Sequence, residues 1–298
     1  MTQLDAAASL RGLAVGDAFG SRITLPGDHP EVLGRRLPPS PWHWSDDTEM
    51  ACSVVSVLSR YGEVEQDVLA TSFARRYDAS RGYGSGAERM LLRYRAGERW
   101  RDVSPEAFGT GSWGNGGAMR VAPLGAWFGH DLDLAADQAA RSAVVTHAHP
   151  EGVAGAVAVA VAAAVLTRNP APHPAELLGI VASRVPAGEV QRGIAVASAI
   201  RGSTDPASAA AELGTGRAVS AVDTVPLALW LAAQHVDRFA DAMWTAARIA
   251  EDLDTVCAII GGVLAARNEG AAIPGNWASA CEPLPRWLTD PVAHGINR

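Results

Sequence analysis

About a fifth of the chain is alanine, gathered into blocks at 135–144, 153–166, 193–200, 207–212, 228–233 and 240–250. Alanine loses no side-chain freedom in a helix and is the strongest helix former, so blocks spaced this way commit most of the second half to helices. Alternating runs of β-branched and aromatic residues, which a strand needs, are scarce. Helix stop and start signals such as Asn169-Pro170 and Thr204-Asp205-Pro206 recur instead. The expectation is an all-α protein of roughly ten or more short to medium helices. No Ser/Gly linker, charge block or solenoid-like repeat divides the chain, so residues 1–298 are expected to form one domain.

The charge pattern excludes several chemistries. All 25 basic residues are Arg, against 32 Asp and Glu, for a net charge of -7. Without Lys there is no Schiff-base nucleophile and no P-loop lysine. A net acidic chain without a basic run is poorly suited to sequence-independent nucleic-acid binding, which depends on cations displacing counterions from phosphates. Three cysteines, Cys52, Cys257 and Cys281, form no CxxC pair and fit a reducing compartment. The N-terminus shows no secretory pattern. The most membrane-like stretch, Val153 to Leu166, is 14 residues, short of the roughly 18 to 20 that span a bilayer. It is expected to be a buried helix, and the protein a cytoplasmic monomer with no membrane partner.

Four loops between the helices are expected to carry chemistry: 16–20 (GDAFG), 44–50 (WSDDTEM), 109–120 (GTGSWGNGGAMR) and 251–256 (EDLDTV). Ser45-Asp46-Asp47-Thr48 and Asp252-Leu253-Asp254-Thr255 each precede an apolar run, so each reads most simply as a helix cap. Together they also offer an all-oxygen ligand set with neither His nor Cys, suited to a hard cation such as Mg²⁺, Mn²⁺ or Ca²⁺. If the two helix starts converge, Ser45, Asp46, Asp47, Asp252, Asp254 and Thr255 would hold two ions. Gly111, Ser112, Trp113, Gly114, Asn115 and Gly116 form a loop able to cradle a pyrophosphate ahead of a helix, with Trp113 placed to stack on a base; a plain surface loop is the competing account. His147 and His149 begin the long Ala-rich helix, where a structural role is the commoner one. Trp42, Trp44 and Phe108 read as core, and Tyr83-Gly84-Ser85-Gly86 as a turn.

Taken in order, GDA-x-G, S-D-D-T-x-M, YGSG, GNGGAMR, THxHPEG and D-x-D-T resemble the ADP-ribosylglycohydrolase family, the dinitrogenase-reductase-activating glycohydrolases and ADP-ribosyl-acceptor hydrolases, from about residue 9 to about 277. The resemblance implies a compact single-domain orthogonal helical bundle with a two-Mg²⁺ centre, Mn²⁺ substituting, at converging loops. It implies hydrolysis of the bond between ADP-ribose and an acceptor on a protein, a small molecule or a nucleic acid. Ser45, Asp46, Asp47, Asp252, Asp254 and Thr255 fall on its metal ligands and Gly111 to Gly116 on its diphosphate loop. His147 falls near the adenosine end, and Tyr83, Gly84 and Gly86 near the distal ribose. Two positions depart from the pattern: Ser45 stands where Thr is usual, keeping the hydroxyl, and Thr24 lies near the place of a Glu that some members use in catalysis.

Glycosidic cleavage passes through an oxocarbenium-like state, so water must be activated while positive charge at the anomeric carbon is stabilised. Asp46, Asp47 and Asp254 are the candidates for that work. The alternatives are an ADP-ribose-binding module without turnover, a structural protein using the acids only as caps, and a metal-dependent phosphohydrolase of nucleotide diphosphates.

Overall fold

The computed structural model describes residues 2–169, 171–267 and 273–289. Among these are seventeen α-helices and no strand. In chain order they are α1 (Thr2–Arg22), α2 (Pro30–Leu33), α3 (Asp46–Tyr61), α4 (Gln66–Arg76), α5 (Ser85–Arg95), α6 (Trp100–Glu106), α7 (Ala122–Trp127), α8 (Leu132–Val144) and α9 (Pro150–Arg168). There follow α10 (Pro174–Ala182), α11 (Glu189–Ala199), α12 (Pro206–Leu213), α13 (Ala221–Gln234), α14 (Phe239–Ile249), α15 (Leu253–Leu264), α16 (Gly275–Ala280) and α17 (Arg286–Thr289). The six alanine blocks fall on α8, α9, α11, α12, α13 and α14, so the all-α expectation holds.

The centre of the bundle is α9. Fourteen of its residues, Gly152 and Ala154 through Leu166, are buried. A helix apolar on every side must be enclosed on every side, and α7, α8, α10, α11, α13 and α15 all pack against it. By length and composition α9 could also cross a membrane; here its apolar surface is used up inside the bundle.

The most extensive pairing joins helices far apart in sequence, α1 against α15. A Cβ at Gly16 would run into the carbonyl of Cys257, and one at Gly261 into the carbonyl of Gly12. Backbone therefore touches backbone along this seam, an approach only glycine permits. It corrects one reading of the sequence: residues 16–20 are not a loop but lie inside α1, toward its C-terminal end. Their glycines serve packing, and this places Asp17, fully buried, beneath the N-terminus of α3.

Candidate active site

Two helix starts and one glycine-rich loop meet around a cavity of about 420 Å³. Asp46 and Asp47, from the first turn of α3, lie on its wall with Asp252, Asp254 and Thr255 from the start of α15. Ser112 to Gly116 line another part of it, with His147, Gly84 and Gly86. The convergence that spacing left open is thus present. Ser45, Gly111 and Tyr83 stand just behind the wall rather than on it.

The start of α3 is capped twice. Ser45 Oγ accepts from the Asp47 amide at 3.3 Å, the role expected of a cap, and donates to Asp47 Oδ2 at 2.7 Å. Asp17 reaches up from α1 and accepts from the Ser45 amide at 3.0 and 2.9 Å, from the Thr48 amide at 3.1 Å and from Thr48 Oγ1 at 2.6 Å. With Asp17 satisfying the orphan amides, Asp46 is not needed as a cap and faces the cavity. At α15 the capping account holds only in part: Asp254 Oδ1 accepts from the Thr255 amide at 3.0 Å, but Asp252, at the N-cap position, makes no capping hydrogen bond. Its Oδ2 instead accepts from Asn115 Nδ2 at 2.5 Å, tying the glycine loop to the acidic floor.

The loop is pinned rather than free. Ser112 O accepts from the His149 amide, Trp113 O from the Ala221 amide, and the Asn115 amide donates to Val219 O. Asn115 Nδ2 also donates to Thr224 Oγ1 at 3.0 Å. His147 packs under the loop; a Cβ on Gly116 would come within 2.8 Å of its ring. Burial, reinforced by the Arg120 guanidinium, pulls the His147 pKa down to about 3, so the ring is neutral, with Nδ1 paired to Thr146 Oγ1 at 2.7 Å. His149 is the structural histidine, its Nδ1 accepting from the Glu151 amide at the start of α9.

The electrostatics are those of crowded carboxylates. Burial, then repulsion from Asp17 and Asp254, raises the Asp46 pKa to about 8. Burial and Asp254 raise Asp252 to about 7. Asp17 rises to about 6 through burial, despite the hydrogen bonds it accepts, and Asp47 is pushed well above the carboxylate range. No Arg is among the principal influences on any of these four. Asp47 Oδ1 is buried without a hydrogen-bond partner. An all-oxygen set, a sealed acceptor with no donor and uncompensated negative charge fit divalent cations. The cage is not closed as it stands: among the described residues, no three acidic, His or Cys side chains are already grouped to grip an ion.

At the rim stand three exposed apolar residues: Phe108 at 70% exposure, Trp113 at 54% and Val219 at 58%. Phe108 was expected in the core, but a left-handed backbone, φ 54°, turns it out over Gly86. Val219 is also left-handed, at φ 50°, an unusual state for a β-branched residue and one that surrounding structure must hold. Trp42 and Trp44 are core, as expected. Tyr83 donates to buried Glu49 Oε2 at 2.7 Å, and the expected turn at 83–86 is instead the start of α5, whose N-cap Gly84 and first-turn Gly86 face the cavity while the phenol does not.

Sequence reading placed Asp17 in a chemistry-bearing loop without giving it a role, and missed Val219 as part of the site. Gly12, Gly16 and Gly20 recur every fourth residue, a spacing that marks one close-packed helix face and would have put Asp17 inside a helix. For Val219 no local signal exists.

The family model described as ADP-ribosylglycohydrolase matches residues 3–296. The human ADP-ribosylhydrolase ARH3 is 27% identical over 291 residues, covering 86% of this chain and 78% of that protein. The ADP-ribosylarginine hydrolase Tri1 of Pseudomonas putida is 27% identical over 289 residues, covering 90% and 72%. A solved structure titled ADP-ribosylglycohydrolase-related protein complex superposes with a TM-score of 0.68 at 30% identity, over 94% of this chain and 93% of that one.

Proposed function

The chain belongs to the ADP-ribosylglycohydrolase family, and from that premise we propose that it hydrolyses the bond joining the anomeric carbon of ADP-ribose to an acceptor, with arginine-linked ADP-ribose as the leading substrate and small-molecule conjugates next. The observation that carries this reading is the cavity itself, with carboxylates of two helices on one side and a pinned glycine loop on the other.

In this arrangement the backbone of Ser112 to Gly116 cradles the diphosphate, and the rim residues Trp113 and Phe108 shield the bound molecule from solvent. The distal ribose then lies toward the acidic floor. Asp46, Asp47 and Asp254 stand there to orient a water molecule and, in their ionised form, to accept its proton and favour the oxocarbenium-like state. Asn115 holds Asp252 in place. Ser45, Asp46, Asp47, Asp252, Asp254 and Thr255 would hold two divalent cations, Mg²⁺ with Mn²⁺ as a substitute, whose chemistry is Lewis-acid polarisation and charge stabilisation. Thr24 is exposed and off the cavity wall, so the water-activating role rests on the floor carboxylates and not on the segment after α1.

The test is release of free ADP-ribose from arginine-linked, serine-linked and O-acetyl substrates, with Mg²⁺, with EDTA and with Asp46→Asn. Metal-dependent release from one substrate, reduced about 10²-fold or more in kcat by Asp46→Asn, is expected. Binding of ADP-ribose without release from any substrate would replace the hydrolase with a binding module. AMP as the product would replace it with a phosphohydrolase.

A further inference from the structure

A second cavity, of about 250 Å³, lies at the other end of α13 and shares no lining residue with the first. Ser220, at the N-terminus of α13, touches the candidate active site, whereas Trp230 and Gln234 line this one. Fourteen residues of helix put the two about 20 Å apart at 1.5 Å per residue. The second cavity is therefore no extension of the first.

Two nitrogen atoms of its lining residues are buried without a partner among the described residues. Trp230 is 2% exposed, and its indole N–H has no acceptor among the described residues. An indole nitrogen can only donate, and leaving it buried and unpaired carries the desolvation penalty of the lost hydrogen bond. Nδ1 of His235, on the same cavity, is a second buried atom without a partner. The amide of Gln234 and the guanidinium of Arg238 complete the wall, which includes no carboxylate. Arg238 is only lightly engaged: Nη2 donates to Gln234 O at 2.8 Å, and Asp237 and Asp241 stand off at 3.7 and 3.9 Å. Asp241 is held more closely by Arg35, at 2.6 Å. Gly202 keeps the entrance open, since a Cβ there would sit 2.5 Å from Gln234 Oε1.

We propose that this cavity, formed by Trp230, Gln234, His235 and Arg238, is a second ligand site that binds a small oxyanion, the carboxylate or phosphate group of a metabolite. One cation whose carboxylate neighbours stand off at 3.7 and 3.9 Å, and neutral polar groups, with no carboxylate on the wall itself, match acceptor-only oxygens carrying negative charge. The proposal stands independently of the reaction assigned to the first cavity.

The experiment follows the indole N–H resonances of the ¹⁵N-labelled full chain, with Trp230→Phe identifying the Trp230 signal. Inorganic phosphate and acetate are titrated separately, ionic strength being held constant with chloride. The Trp230 signal should move saturably with a midpoint at or below about 1 mM. Arg238→Gln, a substitution of a half-exposed side chain, should raise that midpoint about tenfold or more, and Gly202→Val should abolish the shift while the other indole signals keep their positions. A response to phosphate alone assigns a phosphorylated ligand, one to acetate alone a carboxylate, and one to both a general oxyanion site. No saturable movement with either anion, or an unchanged midpoint in Arg238→Gln, overturns the proposal and leaves a cavity that only water fills.

Discussion

Asp17 shows how one buried side chain organises a site without lying on its wall. It satisfies amides at the start of α3 from a different helix, so the acids of α3 itself are free to face the cavity. Replacing it with Ala orphans the Ser45 and Thr48 amides and should cost about 1–3 kcal/mol in urea unfolding. Asp17→Asn keeps one carbonyl acceptor and removes a charge that Asp46 and Asp47 repel, so its loss should be smaller. Equal losses for the two substitutions would show that Asp17 is not a cap. The acids of the SDDT and DLDT runs were legible in sequence because carboxylates next to a helix-start signal are a local pattern. The division of labour among them was not, because it depends on a side chain 28 residues before Ser45.

Among elements, the α1–α15 seam positions the floor, since Asp17 and the Asp252–Thr255 turn are carried by the two helices it joins. Backbone contact leaves no slack. Gly261→Ala should therefore destabilise the fold by about 1–3 kcal/mol, read as a lower denaturation midpoint. A change below about 0.5 kcal/mol, the range typical of surface substitutions, would mean that the seam tolerates a methyl group. The helices themselves were readable from alanine blocks and Pro-marked starts, because helix formation is local. Residues 16–20 were misread because glycines in sequence announce a turn as readily as a tight helix contact, and only the partner helix decides between them. Phe108 was misread similarly: its hydrophobicity suggests burial, while its left-handed backbone exposes it.

For the whole molecule, the acidic floor couples stability to pH, and the proposed cation site predicts a second coupling, to Mg²⁺. Asp17, Asp46 and Asp252 have folded pKa values of about 6, 8 and 7, raised from 3.8 by burial and mutual repulsion. Between pH 4 and 8 the folded state holds protons that the unfolded chain has released, so these groups stabilise most at low pH and that stabilisation is lost as pH rises. In EDTA the melting temperature should fall from pH 5 to pH 8. Mg²⁺ binding only the folded state should raise it, more at pH 8 than at pH 5, because cations and protons compete for the same oxygens. An Mg²⁺ effect independent of pH, or none, in thermal melts would remove the carboxylate floor as a cation site.

The sequence alone determined the helical class, the motif order and the oxygen-rich chemistry, because helix propensity, capping and ligand type are properties of residues and their near neighbours. Only the tertiary structure decided that the two acidic helix starts meet, that Asp17 caps one of them, and that a second hollow forms at the far end of α13. Each of these depends on contacts between residues distant in the chain, which helix packing creates and local sequence does not encode.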